Sequence, residues 1–405
     1  MKVAIGQFGA PTAVLNASLF GALQVLDDAG AEVFGVIGGV RGLIHGDWFD
    51  LSRFSRHGQW LLRTPGAALR AGRYADFHEV VDQAVEQLRQ KGIDALIVMG
   101  GNGTMGLGAA LHDAARAKGY PLAVIGVPKT IDNDIVGIDH TPGYPSAARF
   151  VIEAVRDLTL DLEAMVGFEQ VRIVEVMGRR CGWLAAAAAV VPYLSPIPGT
   201  VSPRTISEEE LRARRPLILL PEFRRRWEEV LTEIKERVHH FGHLVVVVSE
   251  GVTDANGKPV LHAGDDSTNS ARSMLGGIGA VLADQVRQVL GLGARYENLG
   301  VLQRCWSGSS TTLDRQEALM LGRRGAELVL AGKSAQMVGL SRRPALTYQV
   351  EFIERPLVEI AGRDRLMTAQ EQCMDVAFIQ WLAPLVELEQ IHEHPRISEK
   401  FINSV

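Results

Sequence analysis

Six short runs rich in valine and isoleucine constrain the fold of this chain more than any other feature of its sequence. They are apolar throughout rather than alternating, which is typical of strands in a parallel sheet whose two faces are covered by helices. The runs are KVAIG (2–6), VFGVI (33–37), ALIVMG (95–100), LAVIGV (122–127), RIVEVMG (172–178) and LVVVVSEG (244–251). Segments with helical periodicity lie between them, such as 78–92 and 104–119, and both of these end on a glycine. The alternation predicts a doubly wound α/β fold with mostly parallel sheets and helices on both faces.

The length of 405 residues leaves room for more than one domain. We predict two similar α/β lobes, 1–160 and 161–340, and a mostly helical C-terminal segment, 341–405, that packs back on the lobes. The stretch 194–216 is rich in proline, serine and glutamate, and we interpret it as a surface excursion.

Composition excludes several classes of partner. A net charge of −5 without a long basic block argues against nucleic acid. No run of 18 consecutive apolar residues occurs, so we expect no membrane span. The three cysteines, Cys181, Cys305 and Cys373, are too few and too far apart for a disulfide framework or a zinc cluster. Because the N-terminus also runs straight into a predicted strand, we expect a cytoplasmic protein.

The loop GGNGT (100–104) leads from the third apolar run into a predicted helix. Glycines let backbone N–H groups approach a phosphate, and the helix N-terminus adds partial positive charge. The loop is not a P-loop, because no Gly-Lys-Ser/Thr follows, and the GxGxxG motif of dinucleotide-binding folds is absent. Taken alone, it is explained equally well by a tight strand–helix turn.

The segment KTIDND (129–134) follows the fourth run and carries two aspartates two residues apart. One of them can act as a base toward a hydroxyl while the other lies near a cation or a structural partner. A turn with Asx capping is the alternative explanation. The segment MGRRCG (177–182) places Arg179 and Arg180 on a strand-to-helix turn, which suits phosphate oxygens.

With these motifs in order, the chain resembles the phosphofructokinase superfamily, which phosphorylates fructose 6-phosphate on O1. PKTIDND, VEVMGRRCGWLA, VVVVSEG and LGVLQR occur in the family's order and spacing, and the likeness covers roughly residues 1–340. The resemblance implies fructose 6-phosphate as acceptor, ATP or pyrophosphate as donor and Mg²⁺ as cofactor. It implies donor loops in the first lobe and a sugar-phosphate site in the second. It also implies a homodimer or homotetramer, because in relatives one arginine of the phosphate site comes from a neighbouring subunit.

The resemblance also assigns expected roles to individual residues. Asp132 would accept the proton of the sugar hydroxyl, and Arg179 would stabilise the charge of the transferring phosphoryl group. Thr130, Asp134 and Lys129 complete the expected catalytic set. The expected acceptor-binding residues are Met177, Gly178, Glu250, Arg295, Arg304 and Arg172. The expected donor-binding residues are Gly9, Arg73, Gly101, Gly103 and Thr104.

Four positions depart from the family pattern. Ala10 replaces a glycine of the first loop, and Val301 stands where relatives carry histidine or tyrosine. Asn102 replaces the magnesium-linked aspartate, which leaves a neutral and weaker ligand. Gln170 replaces a phosphate-binding arginine, with Arg172 two residues later. These departures leave open a catalytically weak sugar-phosphate-binding paralogue. A nicotinamide-dependent oxidoreductase is disfavoured by the missing GxGxxG motif.

Two positions bear on the phosphoryl donor, and they point in opposite directions. Gly103 is typical of the ATP enzymes, because an aspartate there would repel the α-phosphate of the nucleotide. Lys129 is typical of the pyrophosphate enzymes, and an exposed loop lysine is the alternative interpretation. Since steric exclusion is harder to evade than an added charge, the sequence favours ATP over pyrophosphate.

Overall fold

A computed structural model describes residues 1–72, 77–198, 207–257, 276–345, 347–369 and 376–396. Contacts between Cα atoms divide the chain into two compact units. Among the described residues, unit 1 consists of 1–148 and 301–366, and unit 2 consists of 149–257, 276–300 and 367–396. This division differs from the predicted lobes, because 301–340 group with the N-terminal residues; the lobe boundaries stay a prediction.

Strands and helices alternate along most of the described chain. The strands are β1 (Lys2–Gln7), β2 (Glu32–Val36), β3 (Trp48–Asp50), β4 (Ala95–Gly100), β5 (Ala123–Pro128), β6 (Val171–Val176), β7 (Ser195–Pro196), β8 (Leu217–Leu219), β9 (Leu244–Ser249), β10 (Ala294–Asn298), β11 (Gln336–Arg342), β12 (Val350–Pro356) and β13 (His392–Glu393). The α-helices are α1 (Leu15–Asp28), α2 (Val40–His45), α3 (Val81–Lys91), α4 (Asn102–Ala117), α5 (Tyr144–Ala164), α6 (Trp183–Ala187), α7 (Glu208–Arg214), α8 (Trp227–Phe241), α9 (Ile278–Gln285), α10 (Leu302–Cys305), α11 (Thr312–Leu330), α12 (Leu357–Ile360) and α13 (Val376–Leu385). No helix in these ranges is both long enough and apolar enough to span a membrane.

Unit 1 is built on a seven-stranded sheet with the order β12-β11-β5-β4-β1-β2-β3. Its inner pairs are parallel, and only the outer strands β12 and β3 run antiparallel to their neighbours. Successive residues of a strand point to opposite faces, and here both faces are covered. Ile97 packs in one apolar core, together with α1 and α11, while Leu96 and Val98 pack in the other, together with α3 and α4. Burial on both faces is the reason that these strands are apolar throughout.

Unit 2 contains a parallel four-stranded sheet with the order β10-β6-β9-β8. Strands β6 and β9 are buried along their whole length. Their side chains form a core with α8 and α9. The predicted α/β fold class, with mostly parallel sheets and helices, is confirmed in both units.

The described part of the C-terminal segment 341–405 contains both strand and helix, and the prediction of a mostly helical segment stays a prediction. Strand β12 belongs to the seven-stranded sheet, α12 spans a single turn, and α13 runs over Val376–Leu385. The reason for the strand lies in packing, because Val350 and Phe352 alternate along β12 and contact the core between the sheet and α11.

Helices α1 and α11 cross at two glycines. A Cβ atom on Gly21 would lie 2.0 Å from the carbonyl oxygen of Leu319, and one on Gly322 would lie 1.9 Å from that of Ser18. Only glycine allows backbones to approach this closely. The crossing fixes α11, whose first turns hold the loop after β5, against the helix that follows the first glycine loop.

Candidate active site

The first glycine loop follows β1 and is held in place by a buried lysine. Gly9 has a left-handed backbone with φ of 71°, and its Cα faces the Lys129 ammonium, because a Cβ there would lie 3.8 Å from Nζ. Lys129 donates hydrogen bonds to the carbonyl oxygens of Phe8, at 3.1 Å, and Ala10. Its side chain is only 3% exposed. The alternative of an exposed loop lysine is therefore wrong: Lys129 joins the loop after β5 to the loop after β1.

The second glycine loop, GGNGT, forms the start of α4 as the sequence predicts. Gly101 precedes the helix and no side chain caps its first turn, so backbone N–H groups are left at the helix N-terminus. Gly103 is exposed, and a Cβ there would meet no atom within 4 Å. Thr104 is buried against Gly100. The open side of this turn at Gly103 suits a bound anion.

The side chain of Asn102 is hydrogen-bonded to a distant part of the chain, the segment that follows α12. Its amide nitrogen donates to the carbonyl oxygen of Arg363 and to Asp364 Oδ1, and its oxygen accepts from the Gly362 N–H at 3.1 Å. The residue expected near magnesium thus fastens the segment after α12 to the donor loop. It also brings the carboxylate of Asp364 beside the start of α4.

The loop after β5, Thr130–Gly143, carries Asp132 and Asp134 and is closed on itself. Thr130 Oγ1 accepts the Asp132 N–H at 3.1 Å. Asn133 lies between the aspartates with φ of 55°, and its Oδ1 accepts the Thr141 N–H at 3.0 Å. The Thr130 N–H reaches the carbonyl oxygen of Pro142. These bonds across the loop position Asp132 and Asp134 before any ligand binds.

Asp134 has a strongly shifted pKa. Burial first, and then the charges of Asp132 and Asp364, raise the pKa to about 7 against the opposing effects of a backbone hydrogen bond and of Lys129. Its Oδ1 is buried and has no hydrogen-bond partner. Two carboxylates this close to a third favour a shared proton or a cation.

This buried negative charge fits a divalent cation that is held mainly by phosphate oxygens. In the described ranges, no three histidine, cysteine or acidic side chains are grouped closely enough to hold a metal by themselves. Mg²⁺ usually takes one or two carboxylates and completes its shell with substrate phosphates and water. The unpartnered Oδ1 of Asp134 is the described atom that best meets this requirement.

In unit 2, the turn after β6 and the end of β9 bring Arg179 and Glu250 together. Gly178 has φ of 140°, and a Cβ there would lie 2.5 Å from both the Cys181 carbonyl oxygen and Ser249 Oγ. Ser249 Oγ donates to the Gly178 carbonyl oxygen at 2.7 Å and so locks the turn to β9. Arg179 Nε lies 3.9 Å from Glu250 Oε1, and the two side chains are 43% and 18% exposed. A half-exposed guanidinium beside a carboxylate can bind phosphoryl oxygens and hydroxyl groups.

Two arginines that are paired in register on neighbouring strands differ in environment. Arg172 on β6 and Arg295 on β10 face each other along the sheet. Arg172 is 3% exposed and donates at 2.6 Å to both Glu169 and Asp161, so its charge is already neutralised. Arg295 is 58% exposed and lies 3.4 Å from Glu169 Oε2. Of the pair, Arg295 is available to a ligand, whereas Arg172 forms ion pairs that stabilise the interior of unit 2.

The remaining predicted residues are dispersed. Met177 precedes the Gly178 turn in unit 2, whereas Arg304 lies on α10 in unit 1 and is partly buried. Arg73 falls outside the described residues. Sequence reasoning missed Asp364, as well as His140 and Glu317, which meet in the interior of unit 1. Each pairs with a residue far away in the chain, and no local motif marks such a pairing.

Comparison with known proteins places these motifs in one family. The phosphofructokinase family model matches residues 2–329. A sulfofructose kinase of Alkalicoccus urumqiensis is 37% identical over 96% of this chain and 97% of its own length. A pyrophosphate–fructose 6-phosphate 1-phosphotransferase of Rhodospirillum rubrum is 31% identical, covering 95% and 94%. An ATP-dependent 6-phosphofructokinase of Clostridium perfringens is 30% identical, covering 84% and 89%.

Solved structures agree with this assignment. The crystal structure of a pyrophosphate-dependent phosphofructokinase from Marinobacter aquaeolei matches 98% of this chain and 94% of its own, with a TM-score of 0.78 and 28% identity. The family model covers most of the chain. The chain therefore belongs to the phosphofructokinase family and is an enzyme of that family.

Proposed function

We propose that this protein transfers a phosphoryl group to O1 of fructose 6-phosphate, and the observation that carries the proposal is the loop Thr130–Gly143. That loop presents Asp132 next to a buried, partly neutralised Asp134 and joins Lys129 to the first glycine loop. A carboxylate held beside a phosphate-binding turn is what a hydroxyl needs in order to attack a phosphoryl donor.

In the proposed reaction, Asp132 accepts the proton of the 1-hydroxyl as it attacks the donor. Because the pKa of Asp134 is raised to about 7, a cation bound beside this residue near neutral pH favours its ionised form. Thr130 lies beside the transferring group, and Arg179 binds its oxygens. Met177, Gly178, Glu250, Arg295 and Arg304 bind the acceptor.

Magnesium is part of the proposal. When it is bound, the ion neutralises the charge of the transferring phosphoryl group. Asp134 is the residue that we propose for it, because its Oδ1 is buried and unpartnered. Asn102 is a weaker candidate, since its oxygen already accepts the Gly362 N–H.

We propose ATP as the donor over pyrophosphate, with Gly103 as the supporting observation. The exposed, unobstructed Cα of Gly103 leaves space next to the start of α4 for a nucleotide. Lys129, the feature typical of pyrophosphate enzymes, is engaged by two carbonyl oxygens of the first loop. Its charge supports binding of either donor's phosphates, so it discriminates less than Gly103.

A second acceptor has its own supporting observation. Gln170, at the position of a phosphate-binding arginine, is tied to the Gly293 N–H at 2.7 Å, and Glu169 lies close to Arg295. This half of the site therefore has little net positive charge. A sulfonate carries one negative charge, whereas a phosphate monoester loses a second proton with a pKa near about 6. Together with the 37% identity to a sulfofructose kinase, this favours a fructose with a sulfonate in place of the phosphate as the alternative acceptor.

One set of assays tests these choices. Purified protein with Mg²⁺ is supplied with ATP or pyrophosphate and with fructose 6-phosphate or its sulfonate analogue, and the phosphorylated sugar is quantified directly. We expect the highest kcat/KM for ATP with fructose 6-phosphate. A preference for the sulfonate moves the assignment to the second acceptor. Acceptor binding by calorimetry without turnover for any pair of substrates indicates a catalytically silent paralogue.

Assembly and location are also proposals. The exposed Arg295 supports a homodimer or homotetramer in which this residue serves a neighbouring subunit, and we propose the cytoplasm as its compartment. A fully active monomer in light scattering at the assay concentration contradicts the first of these.

A further inference from the structure

A histidine of the loop Thr130–Gly143, which has been given no role above, lies completely buried between two carboxylates in unit 1. His140 Nδ1 is 2.9 Å from Asp139 Oδ2, and Nε2 is 2.7 Å from Glu317 Oε2. The ring is 0% exposed. It therefore cannot contact a substrate, and any influence on the reaction must act through the protein.

Both ring nitrogens face acceptors. An ionised carboxylate has no proton to donate, so each of these two short contacts requires an N–H from the ring. A neutral imidazole has only one N–H, whereas the imidazolium has two. Burial by itself would lower the pKa of His140, but Glu317 and Asp139 outweigh it and raise the pKa to about 9.

The charges around His140 come from every element that packs on it. Tyr348 donates its hydroxyl to Glu317, and Arg342 donates to Asp139 at 3.1 Å while its guanidinium lies 4.8 Å above the Tyr348 ring. Asp314, one turn before Glu317 on α11, has a pKa that burial raises to about 6, and the His140 charge opposes this rise. With His140 protonated, His140 and Arg342 balance Asp139 and Glu317, and Asp314 adds a negative charge when it is ionised; loss of the His140 proton makes the buried net charge more negative.

This cluster attaches the loop of the aspartates to two other elements. Glu317 belongs to α11, and Arg342 ends β11. The Asp139 N–H also donates to the carbonyl oxygen of Leu340 at 2.8 Å. Immediately after His140, Thr141 is bonded to Asn133, the residue between Asp132 and Asp134. A shift of His140 is therefore passed to Asp132 through one hydrogen bond and a short length of backbone.

We propose that His140, as an imidazolium clamped between Asp139 and Glu317, is a positioning residue that holds Asp132 in place for phosphoryl transfer. The proposal rests on the proposed function, in which Asp132 is the base. It predicts that the reaction slows when the His140 proton is lost, although His140 takes no part in the chemistry.

The test compares His140→Gln with His112→Gln. His112 lies in the same unit and its ring is hydrogen-bonded to Ser334 at 3.1 Å, so it is a matched control. We expect His140→Gln to fold and to keep the acceptor KM within about twofold, while kcat falls roughly 10- to 100-fold, because a small displacement of a reacting group is costly. The wild-type kcat should decline as the pH rises through about 9, and this decline should be absent in His140→Gln. A folded His140→Gln with the wild-type kcat and the wild-type alkaline decline overturns the proposal.

A second variant covers the case in which His140→Gln does not fold. Glu317→Gln keeps the shape of the side chain but removes the charge that contributes most to the raised pKa of His140. The alkaline decline of kcat should then move to lower pH. An unchanged position of the decline in folded Glu317→Gln overturns the proposal.

A measurement that needs no substrate separates this inference from the proposed function. Hydrogen exchange of 130–143 should speed up in His140→Gln, or in Glu317→Gln above the pH at which its histidine deprotonates, and should not change in His112→Gln. If no pair of substrates is turned over, the proposed function fails, yet faster exchange in this loop still supports His140 as the residue that positions it. Unchanged exchange in both variants overturns the inference whatever the activity.

Discussion

The loop after β5 and the turn after β6 both follow buried parallel strands, but they are held in different ways. The loop Thr130–Gly143 is bonded across itself, to α11 and to β11, and its acids are largely buried. The turn at Gly178 is locked to β9 by its backbone, while the side chains it presents, Arg179 and Glu250, remain partly exposed. The loop thus holds its acids in a bonded environment, whereas the turn leaves the guanidinium of Arg179 accessible.

This difference indicates a division of work between the two regions. Carboxylates repel each other and repel a phosphate unless their charge is partly neutralised and their positions are fixed. The interior of unit 1 provides both conditions. Guanidinium groups that bind and release an anionic substrate can remain exposed to water until the substrate binds. Variants of the loop should therefore change kcat, and variants of unit 2 should change acceptor binding.

The largest expected effect is at Asp132. Asp132→Asn removes the proposed base but keeps its size, so kcat should fall on the order of 10²- to 10⁴-fold with little change in acceptor KM. Steady-state kinetics with the preferred donor measures this. Asp113→Asn, an exposed position on α4 in the same unit, is the control. An undiminished kcat in Asp132→Asn would mean that the proton goes elsewhere.

The next effect concerns the donor alone. Gly103→Asp places a carboxylate at an open position near the start of α4, where it should repel the α-phosphate of ATP. A loss of about 10²-fold in kcat/KM for ATP corresponds to about 3 kcal/mol, which is reasonable for like charges in a partly dry site. Pyrophosphate use and acceptor KM should change little. Gly103→Ala adds a Cβ without charge; if it is equally damaging, bulk rather than repulsion is responsible.

Arg172 and Arg295 offer the sharpest form of the comparison, because they share one register position in the sheet. Arg295→Gln should raise acceptor KM about 10-fold or more, as expected for one lost charged hydrogen bond, and should leave Tm nearly unchanged. Arg172→Gln should lower Tm and leave KM nearly unchanged, because it leaves Glu169 buried without its partner. The opposite pattern, with KM raised in Arg172→Gln at constant Tm, would restore the sequence-based assignment of Arg172 to the acceptor.

The smallest effect is in the pH dependence of stability. Asp314 is fully buried, and burial raises its pKa to about 6 although the N–H groups of Gly143 and Ser146 donate to it. Because the folded pKa lies above the unfolded one, its contribution to stability is present below about pH 4 and is lost as the pH rises through about 6. Asp314→Asn should therefore reduce the fall in unfolding free energy over this range relative to wild type. Urea titrations at several pH values measure it, and parallel curves for the two proteins would contradict it.

The sequence was sufficient for the fold class because the signal is local. A strand buried on both faces must be apolar throughout, and each of the six runs overlaps a strand of the structure. Strand β10 was not foreseen, since its ARYEN sequence is polar and it lies at the edge of its sheet. Strand β12 was likewise missed, because its apolar side chains alternate with glutamates at an edge of the other sheet.

The motifs of the candidate site could be predicted from the sequence, but the hydrogen bonds and ion pairs between its side chains could not. GGNGT can be recognised by its glycines, and KTIDND by its clustered charges. Nothing near Asn102 in the sequence indicates that Asp364 lies beside it. The burial of Lys129 is a similar case, since its partners belong to the loop after β1. Such neutralisation depends on distant packing, and it decides which predicted charges remain available to a ligand.

The discontinuity of unit 1 has a consequence for how the protein is made. Strand β5 pairs with β11, and α1 packs on α11, but both partners belong to the stretch 301–366, which leaves the ribosome after the intervening residues of unit 2. During synthesis, the edge of β5 and the apolar face of α1 stay exposed until their partners have been made. Exposed edges and faces of this kind lead nascent chains to aggregate or to recruit chaperones. The loop Thr130–Gly143 also lacks its partners at that stage, because Asp314, Glu317 and Arg342 are synthesised long after it. The chain can therefore acquire its catalytic geometry only near the completion of its own translation.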